Sequence, residues 1–223
     1  MFEILYSRGK ICQVRVSEND LPFEHAPILW NASQHLLKSL KTGSPGLPWT
    51  HQLKSLRNEF DVLIQSISPR DDLAKLVLRT IPHEVRERGI FPEEALKSRF
   101  NQLEKIARRI ELVPIGGAPL ITYILSYAQS MLLFKTVSYI PQTELNDEHT
   151  DFTKMTTDDI FVRARFFLER DDFVQALKYM NLLKGACRVV ARQWMNEVRM
   201  LLETRQAAQI LMAHATSCSF RYV

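Results

Sequence analysis

Residues 156–203, TTDDIFVRARFFLERDDFVQALKYMNLLKGACRVVARQWMNEVRMLLE, decide the fold class. Thr156 or Thr157, followed by Asp158 and Asp159, reads as a helix start. A hydroxyl there caps free N–H groups, and the carboxylates oppose the positive end of the helix dipole. Ile160, Phe161, Ala164, Phe167 and Leu168 then recur at helical spacing. Asp171-Asp172 starts the next helix, whose Phe173, Ala176, Leu177, Met180 and Leu183 face inward, and Gly185 is read as its end. A last helix is predicted from about Ala186 to near Ala215, with Val190, Trp194, Val198 and Leu201 as its apolar stripe. Links this short force neighbouring helices to pack on one another.

Upstream, the same signals repeat. Pro92 to Val113 is strongly amphipathic: Leu96, Phe100, Leu103, Ala107 and Ile110 share one face, and Lys97, Lys105, Arg108 and Arg109 lie on the other. Before it, a helix is predicted over Ile28–Lys41, stopped by the breaker cluster Thr42-Gly43-Ser44-Pro45-Gly46. A second is predicted from about Thr50 to Ser66. A third has Ser68-Pro69 as N-cap and first residue, and stops at Ile81-Pro82. Gly89 closes a short piece, and Pro92-Glu93-Glu94 opens the amphipathic helix. Residues 2–6 and 11–16 alternate like two short strands, which predicts a hairpin-like or irregular N-terminal extension. The expected fold is therefore all-α, a bundle of short antiparallel helices. Residues 1–23 form the extension, 24–136 a helical region and 154–216 a three-helix unit. Only 7 glycines among 223 residues argue against a turn-rich β fold.

Leu112 to Phe134 carries no charged side chain. Pro114, Gly116, Gly117 and Pro119 break its first part, so the helix proper runs from Ala118 to Phe134, short of the ~20 residues a membrane span needs. Thr122, Ser126 and Gln129 add a polar stripe, so a buried core helix is expected over 118–134. Residues 137–153 read as a loop and the best internal boundary. Met1 to Asp20 has neither the long apolar run of a signal peptide nor the acid-poor helical pattern of a mitochondrial presequence.

Catalytic constellations are not legible. The chain has no phosphate-binding glycine loop, no dinucleotide fingerprint, no zinc-protease helix motif and no nucleophile elbow. His25, His35, His51, His83, His149 and His214 are scattered, and Cys12, Cys187 and Cys218 form no close pair. No enzyme activity, metal or cofactor is expected. The net charge of +4 permits contact with anionic lipid or nucleic acid without demanding either. The basic residues have no interleaved aromatic platform, which argues against nucleic acid.

Several stretches, in order, resemble the C-terminal region of the mitofilin family. They are Tyr179-Met-Asn-Leu-Leu-Lys-Gly185, Arg188-Val-Val-Ala-Arg192, Trp194, Glu197 and Leu202-Glu-Thr-Arg-Gln206. Upstream they are Arg88-Gly-Ile-Phe-Pro-Glu-Glu94, Leu96, Arg99-Phe100, Ala107-Arg-Arg109, Leu125-Ser-Tyr127, Gln129-Ser130 and Leu132-Leu-Phe134. With weaker similarity near Leu29-Trp30, the resemblance covers about residues 28–215. It implies a non-enzymatic scaffold at the mitochondrial inner membrane, facing the intermembrane space, that helps organise cristae and crista junctions. It also implies partners: other MICOS subunits, including a CHCH-domain protein, together with an anionic lipid surface and self-association. Family members carry an anchor helix and a coiled coil before this region. Neither is legible in this chain, which reads as part of a larger product or as a shortened paralogue.

Candidate surfaces follow. The partner-binding set is Phe167, Phe173, Leu177, Met180, Trp194 and Val198 on the closing helices, with core packing as the competing role of the Trp194 stripe. The lipid-binding set is Lys97, Lys105, Arg108 and Arg109. Lys184, Arg188, Arg192 and Arg199 form a basic surface, either solvated or facing an acidic partner or lipid. The rival reading is a soluble adaptor: Asp158 to Lys184 looks like one TPR-style hairpin, with Ala164, Ala176 and Tyr179 at its small and aromatic positions. Against it, no ~34-residue period recurs.

Overall fold

The computed structural model describes residues 25–44, 46–111 and 155–220. The expected N-terminal hairpin, the uncharged helix over 118–134 and the 137–153 loop lie outside the described residues. Eight α-helices and one 3-10 turn are described: α1 His25–Lys41, the turn Trp49–His51, α2 Arg57–Ser66, α3 Asp72–Thr80, α4 His83–Glu87, α5 Glu93–Glu111, α6 Thr157–Glu169, α7 Phe173–Met180 and α8 Gly185–Phe220. No strand occurs among the described residues, as the all-α reading requires. None of the described helices is long and apolar enough to cross a membrane.

The chain forms two compact units, each discontinuous in sequence. One takes residues up to 42, 53–90 and 203 onward; the other takes 43–52 and 91–202. Helix α8 thus gives its residues to Leu202 to one unit and those from Glu203 to the other.

In the first unit α1 packs against α2, and α2 against α4. Ala26, Leu29, Ala32, Leu36 and Leu40 are buried on one stripe of α1. Ser33 sits on the same stripe because its hydroxyl donates to the Leu29 carbonyl at 2.8 Å, leaving no unpaired buried polar group. The predicted helix from Thr50 is corrected: Gln52–Leu56 is not helical, and α2 starts at Arg57. The reason is an antiparallel bridge in which the Lys54 and Ile90 backbones exchange two hydrogen bonds of 2.9 Å. That bridge also explains Gly89. Its φ is +96°, and a Cβ there would lie 2.2 Å from the Lys54 carbonyl oxygen, so only glycine fits.

The third helix start is corrected as well. Asp71, not Ser68, is the N-cap: its Oδ1 accepts from the Ala74 N–H at 2.9 Å. Ser68 instead closes the preceding turn, accepting at its carbonyl from the Asp71 N–H. The other Asp71 oxygen lies 3.0 Å from His214 Nε2 on α8. One buried carboxylate therefore serves two helices far apart in sequence. The end of α7 also moves: it stops at Met180 with Asn181 as cap, and Gly185, at φ +58°, begins α8. Helix α8 extends beyond the predicted Ala215 to Phe220.

Asp71→Ala removes a cap worth ~1 kcal/mol and strips a half-buried imidazole of its partner, for a combined loss of about 2–4 kcal/mol. Asp71→Asn, which keeps an acceptor for Ala74, should lose clearly less. Urea unfolding followed by circular dichroism checks both, and equal losses would remove the dual role.

Candidate functional site

The hairpin of α6 and α7 is built by its caps. Thr156 Oγ1 accepts from the Asp159 N–H at 3.2 Å, and Asp159 Oδ2 accepts from the Thr156 N–H at 3.2 Å, a reciprocal capping box. After α6, Asp171 takes a left-handed conformation with φ 62°, and the Asp172 N–H donates to the Phe167 carbonyl at 2.9 Å. Asp172 Oδ1 then accepts from the Gln175 N–H at 3.0 Å and starts α7. Asp tolerates this left-handed turn better than most residues, which is how two carboxylates reverse the chain within three positions.

The helices of this unit meet around Trp194. Its ring lies 5.2 Å from that of Phe100, which is 6.0 Å from Phe161. The indole N–H donates to the Leu96 carbonyl at 3.0 Å. Trp194, Phe173, Met180 and Val198 are all at most 1% exposed, so these four members of the expected partner set are interior side chains. The other two, Phe167 and Leu177, are half-buried and reach the surface. Phe167 stacks on Tyr179 with centroids 5.5 Å apart and meets Phe166 edge-on at 5.3 Å. The Arg170 guanidinium covers Phe166 at 3.4 Å from its centroid. An aromatic cluster thus ties the last turn of α6 to α7.

Helix α5 spends part of its basic face internally. Leu96, Phe100, Leu103 and Ala107 are buried, and Glu104 is buried with them at 1% exposure. Arg108 donates to Glu104 at 2.9 Å, and Arg165 pairs with the same carboxylate. Arg108 Nε also faces Asp158 at 3.3 Å, an ion pair without the alignment of a hydrogen bond. Lys97 pairs with Asp171. Of the expected lipid set, Lys105 and Arg109 are exposed, and exposed Ile106 lies between them in sequence. The second basic set is exposed throughout: Lys184 just before α8, and Arg188, Arg192 and Arg199 on it. Arg188 is held in place, donating to the Asn181 carbonyl at 2.6 Å and the Leu183 carbonyl at 3.3 Å.

Sequence reasoning missed Glu104, although its position between Phe100 and Ala107 on the core face was a signal: a carboxylate at an apolar register needs buried cations. It also missed the platform in which Arg99 lies 4.8 Å over Trp49 and 5.8 Å over Phe91, while the Trp49 indole donates to Gln102 Oε1 at 2.8 Å. That platform fixes the Trp49–His51 turn on α5, and no local pattern reports such a pairing.

Comparison with known proteins adds the following. Residues 25–216 match the family described as Mitofilin, mitochondrial inner membrane protein. The chain is 45% identical to the MICOS complex subunit Mic60 of Drosophila melanogaster over 198 residues, 89% of this chain and 27% of that relative. It is 28% identical to the MICOS complex subunit mic60 of Neurospora crassa, over 72% of this chain and 22% of the relative. It is 25% identical to the MICOS complex subunit MIC60 of Phaeosphaeria nodorum, over 93% and 32% respectively. The chain therefore spans about a fifth to a third of the length of these relatives. No solved structure matches.

Trp194→Ala should cost ~3–5 kcal/mol, because it opens a large cavity and leaves the Phe100 ring half-supported. Thermal and urea denaturation measure this; a variant of unchanged stability would take Trp194 out of the core.

Proposed function

The chain belongs to the mitofilin family of mitochondrial inner membrane proteins, and on that premise we propose that it is the partner-binding and lipid-contacting region of a MICOS subunit. It acts without turnover, as a scaffold that holds other MICOS subunits, a CHCH-domain protein among them, against the inner membrane. It works on the intermembrane-space side, at cristae and crista junctions. Self-association adds avidity to contacts that are individually weak.

The observation that carries this reading is the split of functional side chains between interior and surface. The hairpin presents Phe167 and Leu177 half-buried on a framework tied down by two caps and an aromatic stack. An apolar ring already stacked on Tyr179, as Phe167 is, loses little entropy when a partner helix covers it. Exposed Arg192 and Arg199 on α8 supply cations for an acidic partner. Lys105 and Arg109 are the exposed members of the lipid set, and Lys97 and Arg108 contact carboxylates of the same unit. The apolar face of α5 is in the core, so this helix meets the membrane through its charges and Ile106 rather than by inserting its main stripe.

Reversal of two surface cations, Lys105→Glu with Arg109→Glu, should weaken binding to cardiolipin-containing vesicles about tenfold or more while the helical circular dichroism is kept. Co-sedimentation at low salt measures this, and unchanged pelleting sinks the lipid role of α5. Arg192→Glu with Arg199→Glu should likewise weaken binding of a purified CHCH-domain MICOS subunit by roughly tenfold, read by calorimetry. Full affinity in that variant would assign the α8 cations to solvent alone.

A further inference from the structure

Helix α3 has more apolar surface than its unit covers. Ala74 and Val77 are buried, yet Leu73 is 46% and Leu76 63% exposed. The two leucines are one helical turn apart, so they stand side by side at the edge of the solvent face. Exposed Arg70 and Arg79 and half-buried Lys75 border them. Of the acidic residues nearby, Asp71 is buried against His214 and the Ala74 N–H, and Asp72, although exposed, pairs with Lys75 at 3.4 Å, which offsets its charge. The solvent side of this helix is therefore apolar in its centre and positive at its margin.

That combination matches an anionic bilayer surface. Leucine side chains partition into the boundary between headgroups and acyl chains, while guanidinium groups stay at phosphate level. A second copy of the chain fits less well, because a two-fold contact centred on the leucines would bring Arg70 and Arg79 toward their own counterparts. We propose that Leu73 and Leu76, flanked by Arg70 and Arg79, are a lipid-insertion face. It is a different site from the Lys105 and Arg109 surface of α5, which attracts anionic lipid by charge and carries one exposed apolar side chain. The leucines supply a component of membrane binding that salt does not screen, since burial of apolar surface does not depend on ionic strength.

The test uses the full chain and vesicles of phosphatidylcholine with cardiolipin. Leu73→Ser with Leu76→Ser should remove the fraction of binding that survives high salt, a loss of roughly tenfold or more. The melting temperature should stay close to that of the unchanged protein, because both side chains face water. In a second variant, Leu76→Trp, vesicles with brominated acyl chains should quench the added tryptophan emission. Unchanged high-salt binding in the serine variant, or absence of quenching in the tryptophan variant, overturns the proposal. So does a concentration-dependent dimer dispersed by the serine pair, which would give the face to a second copy. If the serine variant unfolds, the quenching experiment decides by itself. The α5 reading fails separately: Lys105→Glu with Arg109→Glu would then leave binding intact while the serine pair abolishes its salt-resistant part.

Discussion

The hydrogen bond from the Trp194 indole to the Leu96 carbonyl, with Phe100 against the same ring, is the constraint from which the second unit is organised. Leu96 and Phe100 are one turn apart on α5, so a single side chain of α8 reads both a backbone oxygen and an aromatic face of that helix. Phe100 passes the contact on to Phe161 of α6. An indole in a dry core must find an acceptor for its N–H, and a helix carbonyl has a second lone pair to offer. The register of α8 against α5 is therefore specified chemically, where apolar contacts alone would allow sliding.

Glu104 constrains α5 against α6 in a different way. A carboxylate at 1% exposure is costly unless its oxygens are met by cations, and Arg108 and Arg165 meet them. Such a cluster contributes specificity of pairing between α5 and α6 more than net stability. Its functional consequence is a division of labour among the cations. Arg108 and Arg165 hold helices together, Arg188 holds the turn before α8, and Lys105, Arg192 and Arg199 present their charge outward. Charge on a helical wheel does not distinguish these roles; the partner on the neighbouring element does.

The legible part of the fold is local. Apolar spacing on α5, α6 and α7 selected the buried residues well, because a helix of period 3.6 buries one stripe whatever it packs against. Caps were legible where the capping group acts within four residues, as at Thr156 and Asp172. The misplaced starts of α2 and α3 have long-range causes. Lys54 is drawn into a bridge by Ile90, and Asp71 is chosen as cap in a place where its second oxygen meets His214. Ser68-Pro69 carried an equally good local signal and lost to that tertiary contact.

By itself the sequence determined the helical class, the faces each helix buries and membership of the mitofilin family, since these follow from periodicity, cap chemistry and the order of motifs along the chain. Only the tertiary structure decided which of the singled-out residues remain available to other molecules. Trp194, Phe173, Met180 and Val198 went to the core, Phe167 and Leu177 to the surface, and Arg108 to Glu104. The physical reason is that a helix dictates which side chains share a face, whereas burial and ion pairing depend on what the neighbouring helix places opposite that face.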